Sequence, residues 1–85
     1  MAKRTVTVGS KVGLHARPAA LIAEAAGEYD DEILLSVAGD DPVDASSAMM
    51  IMTLGADCGT EVTVESDNEE AVAQIADMIS ADLDA

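Results

Sequence analysis

The sequence predicts one small two-layer α+β domain, 1–85, with its elements in the order β-α-β-β-α-β-α. Three observations carry that expectation. Short stretches of period-two alternation recur along the chain, helical periodicity fills the gaps between them, and 85 residues leave room for a single core. Strands with one apolar face and three amphipathic helices imply helices on one side of a sheet and solvent on the other. Element order alone does not fix the topology, since ferredoxin-like domains also read βαββαβ.

The first strand is expected at "RTVTV" (4–8), where Val6 and Val8 share a face and Gly9-Ser10 ends the run. After "VGL" the stretch "HARPAALIAEAAGEYD" contains good helix formers, an apolar stripe at Leu21, Ile22 and Ala25, and a stop near Gly27. "EILLSVA" (32–38) reads as a second strand with Ile33, Leu35 and Val37 on one face. "GDD" turns the chain, and "PVD" is a short third strand with Pro42 at its edge. "ASSAMMIMTLG" reads as a short helix capped by Ser46 or Ser47, with Gly55 just past its end. "TEVTVES" is a fourth strand with Val62 and Val64 inward. The last helix opens on "SDNE" (66–69), which has the form of a capping box, and runs through Val72, Ile75, Ala76, Ile79 and Leu83.

Composition excludes several functions. Cys58 is the only cysteine and Tyr29 the only aromatic residue, so neither a disulfide nor a closed Cys/His metal site is available. The net charge is −13, which opposes nucleic acids and anionic membranes. No apolar run approaches the roughly 18 residues of a membrane span. "MAKRTVTV" lacks the features of a secretory signal, and an unpaired cysteine suits a reducing compartment, so a cytoplasmic location is expected.

Charge is also unevenly placed. Lys3, Arg4, Lys11 and Arg17 are the only cations, and the first 17 positions hold no acid; all 17 acidic residues follow. The positive charge is thus kept beside the single histidine, His15, and an anion is expected there. With His15 as N-cap, Pro18 falls in the first helical turn, where its missing N–H costs nothing. The free amides of Ala16 and Arg17 then face outward at the positive end of the helix dipole. Arg17 adds a planar guanidinium suited to a bidentate grip on phosphate. A neutral imidazole beside such a cradle can accept a phosphoryl group and become a phosphohistidine, because phosphoryl transfer needs mainly positioning and charge stabilisation. A cap or surface histidine is the plainer alternative. A Ser or Cys triad fails for want of partners: Cys58 has no second histidine to activate it, and the chain shows no partner for His15 in that role.

"GLHARPAA" resembles the active-centre motif of the HPr family, the histidine-containing phosphocarriers of the phosphoenolpyruvate-dependent sugar phosphotransferase system. The similarity extends over the element order and over "SSAMMIMTLGADCGTEVTV", including Gly55 and Gly59. It implies an open-faced sandwich, a four-stranded antiparallel sheet with three helices on one face. It implies that enzyme I phosphorylates His15, at Nδ1, and that the group passes to a IIA protein or domain, or to a related kinase subunit. The chain would be a carrier rather than an enzyme, a monomer without cofactor, with Arg17 holding the phosphate. Partner docking would use Ala16, Ala20, Ala48, Met49 and Met52. Methionine suits a surface that must fit several partners, although some of "MMIM" must fill the core, and Met49 outside with Met50 or Ile51 inside is expected. Ser47 matches a position that carries regulatory phosphate in some members, but neighbouring Asp44 and the lack of Lys or Arg in the segment oppose a phosphate there. Val12 replaces a residue often small and polar in the family.

A regulatory binding protein on the same fold, acting through docking and Ser47, is the competing reading, and the intact His15–Arg17 pair favours the carrier. A metal- or metabolite-binding ferredoxin-like module would show a Cys-x-x-Cys pair or a Gly-rich loop, and neither is present.

The acidic excess further predicts a halophilic protein, whose self-repulsion multimolar salt screens within a few ångströms. Its stability by circular dichroism should rise steeply from low to multimolar KCl. Unchanged stability across that range would show an acidic domain adapted to ordinary salt.

Overall fold

Backbone hydrogen bonding turns the alternating segments into one sheet. The computed structural model describes residues 2–11 and 13–81, so Val12 and Leu83 lie outside the described residues. Its elements are strand β1 (Ala2–Thr7), helix α1 (Ala16–Gly27), β2 (Ile33–Ser36), β3 (Val43–Asp44), α2 (Ala48–Thr53), β4 (Glu61–Ser66) and α3 (Glu69–Ser80). Strand order is β1-β4-β2-β3, with every pairing antiparallel.

The register sorts side chains onto two faces. Val6 opposes Val62, and Arg4, Val64 and Leu35 align across three strands. This face meets the helices, and Ile33, Leu35, Val62 and Val64 share a core with Ile22, Ile51, Ile75 and Ile79. On the other face Lys3, Glu65, Leu34 and Asp44 align, and Thr5 and Thr63 join hydroxyls at 2.8 Å. The opposite charges of Lys3 and Glu65 suit a solvent-facing ladder.

Several boundaries differ from the sequence expectation. β1 starts at Ala2 and ends before Val8, which is nevertheless buried and donates its N–H to Thr60 O at 2.9 Å. β2 stops at Ser36, leaving Val37 half-buried beyond it. The inward stripe of α1 is Pro18, Ala19, Ile22 and Ala26, while Leu21 is 38% exposed and Ala25 half-buried. Helical rotation explains this: 18/19, 22 and 26 recur at three- and four-residue steps, and Leu21 lies a quarter-turn aside.

The capping box also shifts. Ser66 is the last residue of β4, so the strand still holds the backbone where the helix was expected to open. Asn68 caps α3 instead, its Oδ1 accepting from the N–H groups of Glu70 and Ala71 at 3.1 and 3.2 Å. Ser66 Oγ accepts from Asn68 N–H and so supports the cap. Asn68 Nδ2 reaches Asp31 at 3.0 Å and the Tyr29 hydroxyl donates to Gln74, pinning the segment after α1 to α3. At the far end of α3, Gly9 N–H donates to Ile79 O at 3.0 Å. A Cβ on Gly9 would lie 2.0 Å from Ser80 O, so only glycine lets the chain pass so close to the helix end.

Two tests follow from these caps. Replacing Asn68 with Ala should cost about 1 kcal/mol in denaturant unfolding; an unchanged midpoint would return the capping role to Ser66. The Ser46 hydroxyl and N–H donate to Asp44 at 2.7 and 2.9 Å and hold its carboxyl below the ordinary value of 3.8. A lowered folded-state value stabilises above the unfolded value and is lost as pH falls through it. Ser46→Ala should therefore be less stable than the parent chain at neutral pH, with the gap closing below pH 3.8. A gap independent of pH would sever Ser46 from the Asp44 carboxylate.

Candidate functional site

Pro18 decides where α1 can begin. It is buried in the first turn, as the third helical residue after Ala16 and Arg17. His15 is the N-cap, with extended backbone (φ −80°, ψ −169°), and its side chain makes no capping bond. Its carbonyl accepts from Ala19 N–H at 2.8 Å, the first bond of the helix. The amides of Ala16 and Arg17 lie ahead of any intrahelical acceptor, and Pro18 has no N–H, so two donors remain at the positive end of the helix. His15, Ala16 and Arg17 are all exposed. Arg17 has no carboxylate partner among the described residues.

A backbone crossing fixes this helix start. Gly13 has φ +76°, and a Cβ there would lie 2.5 Å from Ala56 O and 2.9 Å from Asp57 Cα. Leu14 is buried and donates its N–H to Ala56 O at 2.8 Å. His15 thus emerges against the loop that follows α2. A pocket of about 100 Å³ lies between them, lined by Leu14, His15, Met52, Gly55, Ala56 and Asp57.

The five docking positions fall on α1 and α2. Ala16 and Ala20 are exposed on α1, Ala48 is half-buried, and Met49 and Met52 are 73% and 42% exposed. Ile51 is the core residue of "MMIM", whereas Met50 is 43% exposed. Leu21 on α1 is likewise exposed, so α1 and α2 leave more apolar surface open than the five expected residues. Ser47, not Ser46, caps α2, its Oγ accepting from Met50 N–H at 3.3 Å. Ser46 is engaged with Asp44 instead.

Asp57 is not among the residues the sequence points to, and Gly13 enters there only as the first residue of "GLHARPAA". Gly13 carries a signal, a glycine two residues before the histidine. Asp57 carries none, because no local periodicity links it to position 15. No cluster of three or more His, Cys, Asp or Glu suited to a metal occurs among the described residues, and no helix among them is long and apolar enough to cross a membrane.

Residues 2–81 match the family described as "PTS HPr component phosphorylation site". The phosphocarrier protein HPr of Treponema pallidum is 40% identical over 75 residues, 88% of this chain and 84% of that protein. The structure of HPr from Thermoanaerobacter tengcongensis superposes with a TM-score of 0.89 at 33% identity, covering 100% of this chain and 98% of that one. Crh of Bacillus subtilis, a catabolite repression protein crystallised as a domain-swapped dimer, is similar at 35% identity and a TM-score of 0.73, covering 96% and 97% of the two chains. An open helix start carrying the one histidine, on a β1-β4-β2-β3 sheet matched end to end by these proteins, places the chain in the HPr family of phosphotransferase-system phosphocarriers.

Proposed function

We propose that His15 is the residue that carries the phosphoryl group. The observation behind this reading is its position as an exposed N-cap whose imidazole is not spent on capping, directly ahead of two unpaired amides. A ring nitrogen attacks phosphorus on the charged donor, the new P–N bond forms, and the donor keeps the electron pair of the bond that breaks. The ring proton is released. Ala16 N–H, Arg17 N–H and the Arg17 guanidinium meet the phosphoryl oxygens, supplying positioning and charge stabilisation. Running the steps backwards delivers the group to the next protein, so the chain serves as a substrate in a relay without turnover of its own.

The donor is enzyme I and the acceptor a IIA protein or domain, or a related kinase subunit, in a cytoplasmic sugar-uptake relay. Docking uses the exposed face made by Ala16, Ala20, Ala48, Met49 and Met52, to which Leu21 and Met50 add apolar area. The carrier acts as a monomer and needs no cofactor. Regulation through Ser47 has less support. Its hydroxyl is engaged at the cap of α2, and Asp44, whose carbonyl accepts from Ser47 N–H at 3.1 Å, adds negative charge nearby.

The test is intact mass after incubation with cognate enzyme I, phosphoenolpyruvate and Mg²⁺ in high salt. The parent chain should gain one acid-labile phosphoryl group, and His15→Ala none. Arg17→Ala should be charged at least tenfold more slowly, in line with the loss of one charged donor to a transferring phosphoryl group. An uncharged parent chain, with an enzyme I shown to charge itself, would favour a regulatory protein and make Ser47 the residue to examine.

A further inference from the structure

Asp57 lines the pocket beside His15 and takes no part in the steps above. It is exposed, but its backbone is not free to drift away. The bond from Leu14 N–H to Ala56 O and the close passage of Gly13 past Asp57 Cα tie its loop to the histidine segment. His15 and Asp57 thus line one pocket, and Arg17 stands two residues beyond His15 in the first turn of α1. Arg17 stabilises a dianionic phosphoryl group on the ring, whereas a carboxylate repels it. A carrier must release as readily as it accepts, so the balance of charge around the ring sets its transfer potential.

We propose that Asp57 raises the phosphoryl-transfer potential of phosphorylated His15 by like-charge repulsion across their shared pocket. This rests on His15 being the acceptor. Asp57 acts through space and is not a reacting group. When the phosphoryl group leaves, the P–N bonding pair returns to the ring nitrogen and the acceptor nucleophile forms the new bond to phosphorus. The proton that the acceptor releases goes back to the ring. Repulsion between a single charge and a dianion about 6–8 Å apart in water amounts to about five- to tenfold in the exchange equilibrium at low ionic strength.

The test is a competition between two carriers. Isotope-labelled parent chain is charged by cognate enzyme I and phosphoenolpyruvate, then mixed with unlabelled Asp57→Asn and a trace of enzyme I until the distribution is constant. Sucrose keeps both chains folded at low salt, and circular dichroism confirms it. Intact mass should show the phosphoryl group favouring Asp57→Asn about five- to tenfold at low salt. The preference should fall toward unity in molar KCl, and Asp57→Glu should stay near unity throughout. An even distribution at low salt would overturn the proposal while leaving His15 as the acceptor. A preference that survives molar salt, or that Asp57→Glu shares, would assign it to altered loop structure and equally overturn it. A parent chain that enzyme I cannot charge would remove both readings.

Discussion

One backbone hydrogen bond, from Leu14 N–H to Ala56 O, underlies the arrangement of the site. It joins two segments far apart in sequence, the approach to α1 and the exit from α2. It exists because Gly13 lacks a Cβ that would meet Ala56 O at 2.5 Å. With that crossing in place, Leu14 is buried, His15 is turned outward, and the first turn of α1 begins where Pro18 requires it. Without it the histidine would hang on a glycine-bounded loop, and neither the pocket nor the apolar surface of α2 would sit beside it.

The same economy governs the rest of the fold. The core is aliphatic, built from Ile, Leu, Val and Ala on one sheet face and three helices. Such side chains pack well but offer no polar anchors, so loops are fastened by backbone and small polar groups instead. Gly9 N–H serves the end of α3, Asn68 its start, and Ser47 the start of α2. The start of α1 likewise presents main-chain donors, at Ala16 and Arg17, with the Arg17 side chain exposed beside them.

Much of this was legible from local pattern. Alternation located three strands and the turn at "GDD" the short one between them, and Val62 and Val64 fall on the inner face as their spacing requires. Pro18 is tolerated in the first turn once His15 is the N-cap, and that placement carries the relation of His15 to two open amides. What local pattern missed depended on contacts between distant segments. Leu21 and Met50 are apolar residues in helices and gave no sign that neither neighbouring element covers them. "SDNE" matched a capping box, but hydrogen bonding to β1 and β2 holds Ser66 in the sheet, so the cap moved to Asn68. Asp57 reaches the site only through the crossing at Gly13, which no periodicity in residues 55–60 announces.

Charge along α1 has a consequence for how the carrier meets its partners. The helix carries Arg17 in its first turn and is followed by Asp30, Asp31 and Glu32 at its other end, where they line a second pocket with Asp44. Twelve residues of helix separate the two poles by about 18 Å, and the helix dipole points the same way. The molecule therefore has a head and a tail in an electric field. A partner with a negative patch exerts a torque that turns the histidine end toward it before contact, shortening the rotational search that limits association of two small proteins. In concentrated salt that torque vanishes within a few ångströms, and encounter is left to shape and apolar contact.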